Sequence, residues 1–190
     1  MNLIKQLEAF HPWNEQEKKD VKEILRRLKS GEELYTRENE SAHLTASAWV
    51  VNPQRDQVLM AYHNLYDSWA WLGGHADGDT DLLEVTLKEV REESGVKNIR
   101  PVSEKIFSVE ILTVSGHEKK GQYVPSHLHL NVTYLIEADP EEVLHHKPDE
   151  NSNVGWFSLE GAIEASNEIW FKERIYNKLN AKLKDFCNVK

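Results

Sequence analysis

Apolar residues along the chain change period several times, and each change marks an element. Between Asn14 and Gly31, the residues Val21, Ile24, Leu25 and Leu28 recur at i, i+3, i+4 and i+7, the spacing of one buried helix face. Asn14 with Glu17 supplies a capping-box start and Gly31 a stop. From His43 to Val51 the run HLTASAWVV is β-branched and apolar and reads as a strand, closed by Asn52-Pro53. Gln57 to Tyr62 reads as its hairpin partner across NPQRD, and Trp69 to Leu72 as a short strand feeding into Gly73. The period then returns to that of a helix. Asp81 and Glu84 stand as N-cap and N3, Leu83, Leu87 and Val90 make a stripe, and Gly95 ends it. Further strands are predicted near Lys105 to Val114, His127 to Ile136 and Asn153 to Leu159. A last helix from about Asn167 places Phe171, Ile175, Leu179 and Leu183 four apart.

Strands that alternate irregularly with few helices predict an α+β fold, with a mixed β-sheet packed between helices rather than a regular parallel wound sheet. Residues 1–42 form an N-terminal helical extension too small to fold alone, and residues 43–190 form the main domain, C-terminal helix included. The extension reads as a cover on the side of that domain. A dimer element, giving a homodimer, or a lid over the site is the other reading. It lacks the basic surface and second helix of a helix-turn-helix reader.

Composition narrows the function. No apolar run approaches the ~20 residues of a membrane span, and MNLIKQLEAF holds no signal-peptide core, so a cytoplasmic protein without a membrane partner is expected. The single cysteine, Cys187, excludes an intrachain disulfide and a multi-cysteine zinc site. The net charge is −9, and Gly73 to Val96 alone holds seven acids against two bases. Acidity so concentrated points to a cation site and argues against duplex nucleic acid, which needs a basic face.

Within that stretch Glu89, Glu92 and Glu93 fall at i, i+3 and i+4. Like charges at this spacing cost a helix about 0.2–0.5 kcal/mol per pair, so a shared cation is the economical explanation. Clustered carboxylates suit hard ions such as Mg²⁺ or Mn²⁺.

The segment GGHADGDTDLLEVTLKEVREESGV resembles the Nudix box, Gly-x5-Glu-x7-Arg-Glu-U-x-Glu-Glu-x-Gly-U with U apolar. Gly74 is its first glycine, preceded by Gly73. Glu89, Val90, Arg91, Glu92 and Glu93 are its core, and Gly95 and Val96 close it. Two positions depart: Thr80 stands for the early Glu, and Lys88 for the Arg, a point charge in place of a bidentate fork. Asp77, Asp79 or Asp81 is a candidate replacement for the missing charge. The resemblance implies the Nudix α/β/α sandwich over roughly residues 43–160. It implies a divalent-metal-dependent pyrophosphatase that cleaves a phosphoric anhydride in a nucleoside diphosphate linked to another moiety X. Glu89, Glu92 and Glu93 would be ligands to Mg²⁺ or Mn²⁺, joined by the Gly74 carbonyl. The base for the attacking water would be a box glutamate, Glu92 or Glu93, or a carboxylate from a distant loop. Glu150, in HKPDENSNVGW, is the preferred distant candidate, ahead of Glu110 and Glu118. The isopentenyl diphosphate isomerase type needs a catalytic cysteine in the domain, and the coenzyme A and NADH types carry extra motifs not found here. A sugar-nucleotide or ADP-ribose type of substrate remains. The alternative is a catalytically weakened nucleotide-binding module of the same fold.

Contacts to X must come from outside the box. His127 and His129 alternate on one strand and share a face, and His75 lies in the glycine loop. All three are candidate substrate contacts. The His-x-His spacing alone is weak evidence for a metal, since no third ligand is evident. The long connection SGHEKKGQYVPS offers Lys119 and Lys120 for phosphate and Tyr123 for base stacking.

Overall fold

Ten consecutive residues of the first strand, β1 (Ala42–Val51), are buried on both faces, polar ones included. The computed structural model describes residues 2–119 and 121–188, and the chain divides into two compact units. Lys120 lies outside the described residues, as does the side chain of Lys119.

The first unit takes Met1–Ser47, Gly73–Val85 and Lys105–Tyr134. It opens with α1 (Leu3–Ala9) and α2 (Glu15–Lys29), the latter started by Asn14 Oδ1 accepting from Glu17 N at 2.9 Å. Glu17 also reaches beyond its own helix. Its carboxylate accepts from Trp13 N at 2.7 Å and from Ser108 Oγ at 2.7 Å, which ties α2 to the strand β6 (Ser108–Val114). Asp20 adds a second tie by accepting from Ile111 N at 3.1 Å. The extension thus covers one edge of β6, while the other edge pairs antiparallel with β9 (His127–Ala138), Leu112 facing His129 and Glu110 facing Asn131. On β1, Thr45 and Ser47 both donate to Asn131 Oδ1 at 2.9 Å. Asn131 Nδ2 and Thr133 Oγ1 in turn donate to Glu110 Oε2 at 3.1 and 2.9 Å. A satisfied polar network of this kind is what allows such groups to be buried. Two further strands, β7 (His117–Lys119) and β8 (Gln122–Val124), pair as a small hairpin inside the long connection between β6 and β9.

The second unit takes Ala48–Leu72, Thr86–Glu104 and Leu135–Lys190. Here the end of β1 pairs with β2 (Gln57–His63) across a turn in which Asn52 Oδ1 accepts from Asp56 N and Gln57 N at 3.0 Å. Strands β3 (Ser68–Ala70) and β10 (Asn151–Ser158) also pair with β2, and β5 (Ile99–Pro101) pairs with the end of β9. Ser158 caps α4 (Leu159–Ala165). The last helix begins with a π-helical segment, Phe171–Tyr176, before α5 (Asn177–Asn188). The wider turn leaves Phe171 half-buried, while Ile175, Leu179 and Leu183 keep the predicted core face and Tyr176 stacks on Trp49 at 5.4 Å. No helix among the described residues is long and apolar enough to cross a membrane.

Candidate active site

The box helix, α3 (Leu82–Ser94), starts as its sequence predicts, with Asp81 Oδ1 accepting from Glu84 N at 3.3 Å. Its buried positions are Leu82, Val85, Thr86, Leu87, Val90, Glu93 and Ser94, while Leu83 is only half-buried. The covered face therefore takes in Glu93, 5% exposed, whereas Glu89 is half-buried and Glu92 exposed. The three carboxylates occupy three different environments.

A loop of the second unit is fastened to the C-terminal end of α3. Gly95 turns the chain at φ +76°, and a Cβ there would lie 2.9 Å from the Cβ of His145, so the loop packs where only glycine leaves room. His145 N donates to Ser94 O at 2.8 Å and Asn151 Nδ2 to Glu93 O at 3.2 Å, satisfying carbonyls that the helix end leaves open. Asn151 Oδ1 accepts from Lys147 N, and Asn151 N donates to Lys147 O, each at 2.8 Å. This tight turn aims two side chains at α3. Lys147 Nζ stands 2.9 Å from Glu150 Oε2 and 3.4 Å from Glu92 Oε2.

Burial pulls the Lys147 ammonium down. The Glu150 hydrogen bond and charge, the charge of Glu89 and the Glu92 hydrogen bond outweigh that and hold it well above its ordinary range. Burial pushes the Glu89 carboxyl up; Lys147 draws it back, and Glu92 and Glu150 push it further up. Two ammoniums thus face three carboxylates, Lys147 against Glu89, Glu92 and Glu150 and Lys88 against Glu92, so negative charge is in surplus. An all-oxygen donor set with that surplus fits a divalent hard cation such as Mg²⁺ or Mn²⁺. Lys88, 69% exposed, lies 3.8 Å from Glu92 Oε1, a surface pair of small energetic weight.

The remaining box residues belong to the first unit. Gly73 is required by contact: a Cβ would meet Ala46 O at 2.5 Å and Ser47 Cα at 2.7 Å, so β4 (Leu72–His75) could not lie this close to β1. Gly74 follows, half-buried, in the same strand, and Thr80 is exposed. The three acids near Thr80 have local partners. Asp77 forms a bidentate pair with Arg37 at 2.7 and 2.8 Å, Asp79 accepts from Asp81 N at 2.9 Å, and Asp81 caps α3.

Of the candidate substrate contacts, His75, His127 and His129 come together in the first unit, joined by His43. His127 Nε2 and His75 Nε2 stand 3.1 and 3.3 Å from His129 Nε2. Burial, then the neighbouring histidines, pull His129 down to about 2, so its ring is neutral. Tyr123 is 73% exposed on β8. Among the alternative bases, Glu110 is fully buried in the hydrogen-bonded network around Asn131, and Glu118 is exposed on β7.

Sequence reasoning did not single out Lys147, Asn151 or His43. Nothing in HKPDEN distinguishes Lys147 from a solvated lysine. For His43 a signal exists: His43, Thr45 and Ser47 alternate as polar residues in an otherwise apolar strand, as do His127, His129, Asn131 and Thr133.

The family model for the NUDIX domain matches residues 41–179. The chain belongs to the Nudix domain family, and so to the Nudix-type pyrophosphatases, with the α+β fold and mixed sheet of that family. Solved structures agree on the fold. A NUDIX-family hydrolase from Clostridium perfringens superposes with a TM-score of 0.53 at 21% identity, over 76% of this chain and 97% of that one. An Ap4A hydrolase from C. elegans, in a binary complex, gives 0.50 at 17% identity over 76% and 97%. No curated protein matches the chain by sequence.

Proposed function

We propose that the protein is a divalent-metal-dependent hydrolase cleaving the diphosphate linkage of a nucleoside diphosphate joined to a second moiety X. The observation that carries this reading is the Lys147 ammonium, which sits among the carboxylates of Glu92, Glu150 and Glu89. A cluster that draws a lysine inward is built to hold positive charge. Glu89, Glu92 and Glu93, all in the second unit, would hold Mg²⁺ or Mn²⁺. Bound there, the ion neutralises charge developing on the phosphates and acidifies a bound water.

The chain's own groups supply the rest. Glu150, fixed by the Lys147–Asn151 turn, takes a proton from the attacking water. Lys147 offers a phosphate oxygen a charge-assisted hydrogen bond. The Asn151 bond to Glu93 O keeps loop and helix in register. Selection of X falls to residues outside the box, with Tyr123, His75, His127 and His129 as candidates, and an ADP-ribose or sugar-nucleotide type of substrate is the one left by elimination.

The test is release of phosphate-containing products from a nucleotide panel, with Mg²⁺ and with excess EDTA. Glu92→Gln and Glu93→Gln are expected to lower kcat by about 100-fold or more while far-UV circular dichroism stays unchanged. Full activity in Glu93→Gln, or in EDTA, refutes the reading. Nucleotide binding by calorimetry without turnover in the wild type indicates a binding module instead.

A further inference from the structure

Four histidine rings meet in the first unit, three of them the candidate contacts to X. His43 starts β1, His75 ends β4, and His127 and His129 start β9. His43, His75 and His129 each present a ring nitrogen within 4.8 Å of the other two. The His43 ring centroid is 5.1 Å from that of His75, 4.8 Å from His127 and 5.1 Å from His129.

Backbone carbonyls decide which nitrogens point inward. His43 Nδ1 lies 3.1 Å from Asn39 O, and His127 Nδ1 lies 2.8 Å from Pro125 O. A carbonyl oxygen can only accept, so both Nδ1 atoms carry the proton and both Nε2 atoms keep a lone pair. A histidine backed in this way is the usual arrangement of a metal ligand, because the carbonyl fixes the tautomer and the ring orientation. His43 Nε2 is buried and has no hydrogen-bond partner among the described residues. A buried polar atom left in that state calls for an explanation, and a bound ion is one.

Spacing supports the same conclusion. Ring nitrogens about 2.0–2.1 Å from a tetrahedral Zn²⁺ stand roughly 3.3 Å apart. The Nε2 atoms of His75 and His127 lie 3.3 and 3.1 Å from that of His129. Strand pairing alone does not require four imidazoles at one point. We propose that His43, His75 and His129, with His127 as the fourth donor, form a site for a first-row transition cation, Zn²⁺ in chemical class, that clamps β1, β4 and β9. An all-imidazole site suits Zn²⁺, Ni²⁺ or Co²⁺ and offers nothing to Mg²⁺, which requires oxygen. The metal of the carboxylate cluster and the metal of this cluster are therefore chemically separable.

The experiment uses the full chain, stripped with a chelator and titrated with Zn²⁺ by calorimetry in millimolar Mg²⁺, with Co²⁺ as a spectroscopic probe. The expected result is one Zn²⁺ equivalent that Mg²⁺ does not displace, and intense visible Co²⁺ bands typical of tetrahedral coordination. His43→Ala and His129→Ala should each lower the affinity at least about 100-fold, since even the groups behind a ligand are worth about 10–100-fold. Glu92→Gln should leave it unchanged. Because the histidine variants disturb buried strands, ring ¹⁵N signals of the wild type provide a second measurement, and the Nε2 resonances of His43, His75 and His129 should shift on Zn²⁺ addition. Zn²⁺ binding that survives in the folded histidine variants, is lost in Glu92→Gln, or leaves the ring signals unmoved overturns the assignment.

Discussion

Glu89 carries opposite predictions for the metal-free protein and for the metal-bound one proposed above. Its carboxyl is pushed up by burial, with Lys147 drawing it back and Glu92 and Glu150 adding to the rise. A folded-state value above the unfolded one means that the protonated form suits the fold. That contribution is complete below the unfolded value, near 4.3, and disappears as pH rises through the elevated folded value. At pH 8 without metal, Glu89→Gln is therefore expected to raise stability, by no more than about 1 kcal/mol because the group is part-exposed and screened. Near pH 4 the difference should vanish. With Mg²⁺ present the order should reverse, since the wild type gains binding energy that the variant cannot. Urea unfolding in EDTA and in Mg²⁺, at both pH values, checks the sign of each.

Among the elements, the end of α3 matters most, because one residue sets the position of the whole loop that carries Lys147 and Glu150. Gly95→Ala places a methyl against His145 and forces a side chain into φ +76°. About 1–3 kcal/mol of destabilisation is expected, read as a lower urea midpoint, together with weaker Mg²⁺ binding as the loop shifts. An unchanged midpoint would mean that the loop yields freely. Helix α3 is also where the sequence was most legible. Its cap, its stop and its acids follow from local spacing, and so do β1, β2 and the core face of Ile175, Leu179 and Leu183. Three features did not follow. The π-helical turn at Phe171–Tyr176 depends on how the helix settles against Trp49 and Trp71, and Tyr176 accepts from Trp71 N at 3.3 Å. The buried face of α3 includes Glu93 rather than being centred on Leu83, because packing rather than hydrophobicity sets its phase. Lys147 acquires its place through the Gly95–His145 contact and the bonds of His145 and Asn151 to the end of α3, relations between residues some fifty positions apart that no local pattern expresses.

For the molecule as a whole, the tie between α2 and β6 decides how the protein behaves toward copies of itself. Asp20 occupies Ile111 N–H, and Glu17 holds Ser108, along an edge that strand pairing does not use. A strand edge with open donors is a template for another chain. Removing residues 1–35 takes away both carboxylates and uncovers the apolar surface under Leu7, Val21 and Ile24. The shortened protein should associate further than the full chain as concentration rises, measured by size-exclusion chromatography with light scattering, and equal masses at all concentrations would refute this. Asp20→Ala, which leaves Ile111 N–H without its acceptor, should show a weaker form of the same behaviour, with a cost of about 1–3 kcal/mol. The order of synthesis gives this a temporal side. Helices α1 and α2 leave the ribosome some eighty residues before β6 does, so both carboxylates that guard the edge are already synthesised when the vulnerable strand emerges.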